Sequence, residues 1–256
     1  MSRLKELFAG KKKDVLNIYF TAGHPAIDAL LPIMESLQEN GADIIELGIP
    51  YSDPLADGPV IQQSSQVALA NGMNLERLFT ILKEMRSRIH IPVVLMGYMN
   101  PVMQYGFEKF CQHAAACGVD GLILPDLPLT EFEKEKRIIM ERFGLDMIFL
   151  VTPETPDERV LKLDNLSSGF LYAVSSSSIT GGKSMNEQFE GYMNRLLGLP
   201  LKNPILVGFG ISDRESFKRA SSRTAGGIIG SAFIKALTGA EDVKATTKAF
   251  LSSVKG

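Results

Sequence analysis

Cysteine, histidine and net charge are all scarce in this sequence, and each shortage removes a class of function. Only two cysteines occur in 256 residues, Cys111 and Cys117, six apart on one predicted helix. They suit reduced thiols in a cytoplasmic protein better than a disulfide framework. The three histidines, His24, His90 and His113, are scattered, so no metal site is expected. A net charge of −2 leaves no basic footprint for nucleic acid and no polybasic patch for a membrane surface. No apolar run approaches the roughly 18 residues of a membrane span. The first eight residues, ending in Phe8, lack the apolar core of a signal peptide and read as a short amphipathic helix. The Lys11-Lys12-Lys13 run after them reads as a solvated turn. Three catalytic signatures are missing too. The first predicted strand runs into Thr21-Ala-Gly-His-Pro25 rather than a dinucleotide-binding Gly-x-Gly-x-x-Gly turn. No base stands at triad spacing from the serine run at 175–178. No lysine ends a predicted strand, so no Schiff-base candidate is evident.

What is present is a soluble, enzyme-like composition, 45% hydrophobic and 22% charged. Strand and helix patterns alternate from end to end with no linker. Strands are predicted over 15–20, 43–47, 92–96, 121–124, 147–151, 170–174, 205–209 and 227–229. Most are near-continuous apolar runs, as parallel strands buried on both faces require. Stripes such as Ile27, Leu30, Leu31, Met34 and Leu37 mark the helices between them. Thr130-x-x-Glu133, Thr155-x-x-Glu158 and Ser212-x-x-Glu215 fit capping boxes, and Pro156 suits a first helical position. Eight such units point to one (β/α)₈ TIM barrel domain over 1–256. It would carry an extra N-terminal helix and an extra helix at 60–71, after the second strand. A doubly wound open sheet is the alternative.

The longest elaboration follows the second strand, on the face where barrels place their active sites. Its sequence runs Ile44-Ile-Glu-Leu-Gly-Ile-Pro-Tyr-Ser-Asp-Pro-Leu-Ala-Asp-Gly-Pro59. Glu46 is an acid inside an apolar strand, which is costly unless it is paired, solvated or used. It reads either as a proton carrier or as half of a structural ion pair. Asp57 could return to the same pocket, or simply make a turn hydrogen bond. Asp53 reads better as a turn residue, and Asp126 as a rim residue or partner contact. Tyr19, Tyr98 and Tyr172 lie at or past strand ends, where aromatics line a flat apolar site or cap the core. Glycine-containing turns follow the last three strands, at 175–183, 208–212 and 230–232. Their joint placement suits a phosphate, with tight strand-to-helix packing as the plain alternative. The Ser/Gly-rich loop after the sixth strand reads as a lid.

Glu46-Leu-Gly-Ile-Pro-Tyr-Ser-Asp-Pro-Leu-Ala-Asp-Gly-Pro59 resembles the signature of the tryptophan synthase alpha chain family. Tyr98-Met-Asn100, Pro125-Asp-Leu-Pro128, Thr180-Gly181, Gly208-Phe-Gly-Ile-Ser212 and Gly230-Ser231 extend the resemblance along the whole chain. It implies a lyase that cleaves indole-3-glycerol phosphate to indole and glyceraldehyde 3-phosphate. Glu46 would be the principal acid/base, and Asp57 would hold the indole N–H. Tyr19, Met96, Tyr98, Tyr172 and Thr180 would contact substrate. Gly181, Phe209, Gly210, Gly230 and Ser231 would hold the phosphate. Pro50, Asp53 and Asp126 would face a beta chain in an alpha2-beta2 complex, and pyridoxal phosphate would belong to that beta partner alone. Three departures from the family pattern are Tyr19 for a common phenylalanine, Ser178 for a common glycine, and the Gly182-Lys183-Ser184 run in the lid. A phosphosugar isomerase or epimerase, or a catalytically idle regulatory partner, are the competing readings.

Overall fold

The computed structural model describes residues 2–174, 185–208 and 210–256. The expected lid, with Ser178, Thr180, Gly181 and Lys183, lies outside the described residues, as does Phe209. The strands are β1 Val15–Thr21, β2 Ile44–Gly48, β3 Val93–Met96, β4 Gly121–Ile123, β5 Asp146–Met147, β6 Leu150–Val151, β7 Leu171–Val174, β8 Ile205–Gly208 and β9 Gly226–Ile229. They form one sheet in the order β5-β4-β3-β2-β1-β9-β8-β7-β6, and every pairing is parallel. Every residue of β1 and β2 is buried, which accounts for their mostly apolar character, interrupted by Asn17 in β1 and Glu46 in β2.

The expected fifth strand, 147–151, is split. β5 bonds to β4 and β6 to β7, with Ile148 and Phe149 between them. Serine hydroxyls cause the break. Met147 N–H donates to Ser168 Oγ at 3.1 Å and Phe149 N–H to Ser167 Oγ at 3.2 Å, in place of ladder carbonyls. Ile148 N still donates to Leu122 O, and Tyr172 N to Phe149 O, both at 3.0 Å. The two ends of the sheet are therefore joined by two residues, and the sheet closes into the (β/α)₈ barrel.

The core has two layers. One lies between strands and helices. The other fills the barrel's N-terminal end, with Val15, Ile44, Val94, Ile123, Ile148, Phe170 and Leu206. The helix Arg3–Gly10 closes that end. Leu4 and Phe8 enter it, and Phe8 packs on Phe170 at 6.0 Å between ring centroids. Arg3 Nη1 reaches Asp120 Oδ1 at 2.9 Å, and Asp120 also accepts from Arg86 Nη2 at 2.6 Å and Val93 N at 2.8 Å. The extra helix after β2 is Pro59–Ala70.

Some local expectations fail for identifiable reasons. Lys11 is not a free solvated group, because its Nζ meets Asp43 Oδ2 at 2.7 Å. Asp213, not Ser212, caps the helix Arg214–Arg223: its carboxylate accepts from Ser216 N at 2.9 Å, and the Ser216 hydroxyl completes the box. Thr130 lies inside the helix Leu129–Glu131, which Pro128 precedes. Pro156 stands one residue before the helix Asp157–Leu166, and the Thr155 hydroxyl accepts from Thr152 N at 2.9 Å instead of capping. Cys111 and Cys117 are free and buried.

Candidate active site

Side chains alternate along a strand, so every second residue of these strands points into the barrel. Tyr19, Glu46, Met96, Tyr172 and Ile228 thereby line a cavity of about 670 Å³. Gly210, Ile211 and Ser212 after β8, and Gly230, Ser231, Ala232, Lys235 and Ala236 after β9, complete much of its wall. Two glycines make room for the phenols. A Cβ on Gly48 would stand 2.2 Å from the Tyr19 hydroxyl, and one on Gly208 would stand 2.1 Å from Tyr172 Cε2.

Glu46 is fully buried. Its Oε2 accepts from Asn17 Nδ2 at 2.6 Å, and its Oε1 has no hydrogen-bond partner among the described residues. No salt bridge reaches it among those residues, so the ion-pair reading of this acid has no support. Burial pushes its pKa up to about 8, partly offset by the Asn17 hydrogen bond. At neutral pH the group is mostly a carboxylic acid, ready to give a proton and able to take one back.

Asp57 comes back towards the same place but does not form the cavity wall. It is half-buried, with its pKa raised by burial and held down by a hydrogen bond from the Tyr98 hydroxyl. The Tyr98 oxygen also accepts from Ala56 N at 3.3 Å, so one phenol pins the loop on both sides of the Ala56–Asp57 peptide. Tyr98 therefore holds the loop, beside the cavity that Tyr19 lines. Burial chiefly, and then the charges of Asp57 and Glu46, raise the pKa of both Tyr19 and Tyr172. Both acidic groups thus lie near enough to act on the same two phenols.

A sequence model of the tryptophan synthase alpha chain matches residues 5–255. The chain belongs to the tryptophan synthase alpha chain family. It is 46% identical over 252 residues to the tryptophan synthase alpha chain of Bacteroides thetaiotaomicron, covering 98% of this chain and 97% of that one. Its fold is similar to tryptophan synthase subunit alpha from Legionella pneumophila, with TM-score 0.89, 33% identity, and coverage of 99% and 97%. It also resembles a chain of the tryptophan synthase complex from Pyrococcus furiosus, with TM-score 0.84, 36% identity, and coverage of 95% and 98%.

In this alpha-chain barrel, seven of the expected site residues line the one cavity: Tyr19, Glu46, Met96, Tyr172, Gly210, Gly230 and Ser231. Pro50 and Asp53 line a separate depression with Tyr51, Asn100 and Gln104. Tyr51 stacks near Tyr98 at 5.4 Å and accepts from Asn100 Nδ2 at 2.9 Å, which links that depression to the Asp57 loop. Asp126 accepts from Met99 N at 3.0 and 3.1 Å, where the helix Met99–Tyr105 begins. Whatever it presents outward, it fixes the position of Tyr98's neighbour. Two residues escaped the sequence reading. Asn17 was signalled by an amide in an apolar strand, two places before Tyr19. Lys235 was signalled by standing four residues after Ser231 on a helix. Among the described residues no group of three or more His, Cys, Asp or Glu could hold a metal ion, and no helix is long and apolar enough to cross a membrane.

Proposed function

We propose that this alpha chain cleaves indole-3-glycerol phosphate to indole and D-glyceraldehyde 3-phosphate, a retro-aldol lyase step of L-tryptophan biosynthesis. The observation that carries the reading is Glu46: a fully buried acid with no salt bridge among the described residues and a pKa near 8, at the wall of an aromatic cavity in this family's barrel. Protonated Glu46 gives its proton to the ring carbon that bears the glycerol chain. Positive charge then develops on the ring nitrogen, and Asp57 is the carboxylate that stabilises it. The Glu46 carboxylate next takes the proton of the adjacent glycerol hydroxyl. The carbon–carbon bond breaks, its electron pair returns to the ring, and the hydroxyl carbon leaves as the aldehyde. Glu46 ends the cycle protonated, as it began. Proton transfer by such a group contributes roughly 10²–10⁴ in rate.

Tyr19, Met96 and Tyr172 are assigned to the indole, and Gly210, Gly230 and Ser231 to the phosphate. Tyr98 is assigned to holding Asp57. The family resemblance adds Thr180 on the substrate side and Gly181 and Phe209 on the phosphate side. The Pyrococcus furiosus relative is a tryptophan synthase complex. By that analogy this chain pairs with a beta chain in the cytoplasm as alpha2-beta2, through the Pro50, Asp53 and Asp126 face. Pyridoxal phosphate is assigned to that partner. The test is indole release from indole-3-glycerol phosphate by the purified chain, with and without a beta chain. Absence of indole in both arms sinks the proposal.

A further inference from the structure

Two charged side chains line the cavity among the described residues, Glu46 and Lys235. Burial favours the neutral form of Glu46, so Lys235 is the standing charge among these described lining residues. Lys235 sits on the helix Ser231–Leu237, whose rotation is fixed by the core. Phe233, Ile234 and Leu237 are buried, and Phe233 packs on Phe20 at 6.2 Å and on Phe250 at 5.2 Å. The opposite face, Ser231, Ala232, Lys235 and Ala236, is turned to the cavity. Residues four apart on a helix are neighbours, so Lys235 stands one turn above Ser231, and the small Ala232 and Ala236 leave space around its stem. Lys235 itself is exposed. Among the described residues it has no salt-bridge partner, although the exposed lysines Lys162 and Lys244 find carboxylates.

We propose that Lys235 is the cation that selects the phosphorylated substrate. Its ammonium pairs with the phosphate dianion seated against Gly210, Gly230 and Ser231. This deepens the assignment of those residues and rests on it. The cavity then has a polarity: a cation beside the glycine turns, and a neutral acid with two phenols deeper in the barrel. A ligand with an anionic tail and an apolar ring is drawn in with its ring towards Glu46. Because Lys235 is solvated, its effect is a modest electrostatic one that salt screens.

The experiment compares wild type, Lys235→Met and Lys235→Arg with indole-3-glycerol phosphate, with its dephosphorylated indole glycerol, and with sn-glycerol 3-phosphate as a binding probe. A unit charge about 6 Å from a dianion at solvent-like permittivity corresponds to roughly tenfold. Lys235→Met should therefore weaken glycerol phosphate binding and raise KM for the phosphorylated substrate by roughly tenfold at low salt. The difference should shrink at high salt, Lys235→Arg should retain most of the wild-type value, and KM for indole glycerol should move little. Equal glycerol phosphate binding by Lys235→Met and wild type overturns the proposal. So does an equal rise in KM for both substrates. Should wild type release no indole yet bind glycerol phosphate through Lys235, the cleavage reading fails and this one stands.

Discussion

Replacing Glu46 by glutamine should make the protein more stable and nearly inactive, and both effects come from the same buried proton. Glutamine keeps the shape and can still accept from Asn17 Nδ2, the bond that now spans 2.6 Å. Below pH 4.5 the wild-type acid is protonated whether the chain is folded or unfolded, so it costs nothing there. Above 4.5 the unfolded chain ionises Glu46 while the folded chain holds it neutral until about pH 8. Stability therefore falls as pH rises through that window. The gap between 4.5 and about 8 corresponds to roughly 5 kcal/mol once pH exceeds 8, and to roughly 3 kcal/mol at pH 7. Glu46→Gln removes this penalty. Urea unfolding at pH 5, 7 and 8.5 should show the variant's advantage growing with pH, while indole release falls by roughly 10²–10⁴. A variant whose stability tracks wild type at all three values refutes the raised pKa. A variant with wild-type indole release refutes the acid/base assignment.

Asp57→Asn should also slow indole release, but less than Glu46→Gln, because the amide keeps the Tyr98 contact and loses only the charge. Steady-state rates of the two variants side by side check the ranking, and a more severe Asp57→Asn reverses the assigned roles. Gly48→Ala should lower stability by roughly 1–3 kcal/mol through overpacking, since its Cβ meets the Tyr19 hydroxyl at 2.2 Å. Thermal unfolding measures that directly, and an unchanged Tm would show that Tyr19 can move aside freely. Asp120→Ala removes the ion-pair partner of Arg3 and Arg86, although Arg86 keeps its backbone carbonyls, and leaves Val93 N without its acceptor, so it should cost roughly 3 kcal/mol in urea unfolding. Proteolysis should then cut first within the N-terminal helix, and cleavage elsewhere would contradict the tie.

The strands were legible because burial on both faces demands near-continuous apolar runs, and Val15–Thr21, apart from Asn17 and Thr21, and Ile205–Gly208 have them. Glu46 was legible for the opposite reason, as the polar interruption of such a run. The break in the fifth strand was not. Met147 to Val151 is apolar throughout, and the serines that divert its N–H groups lie some twenty residues on. Cap positions slipped because a hydroxyl and a carboxylate stood side by side at Ser212 and Asp213, and the carboxylate, the stronger acceptor, took the N–H. The contact of Tyr98 with the Asp57 loop was not legible, because position at a strand end does not say where a long side chain ends. Lys235 passed unnoticed because a lysine on a helix is ordinarily a solvated one, and only the buried Phe233 and Leu237 reveal which way it turns.

The helix Arg3–Gly10 closes one end of the barrel. With Leu4 and Phe8 seated in its base and Arg3 fastened to Asp120, nothing passes through the N-terminal end. Substrate must enter, and indole must leave, on the side framed by the Tyr51–Asp57 loop and the turns after β8 and β9. A molecule in the cavity is thereby kept from the base of the barrel, and the depression lined by Pro50 and Asp53 lies beside the Asp57 loop. Traffic through the protein is thus shaped by a plug at the end of the barrel opposite the cavity.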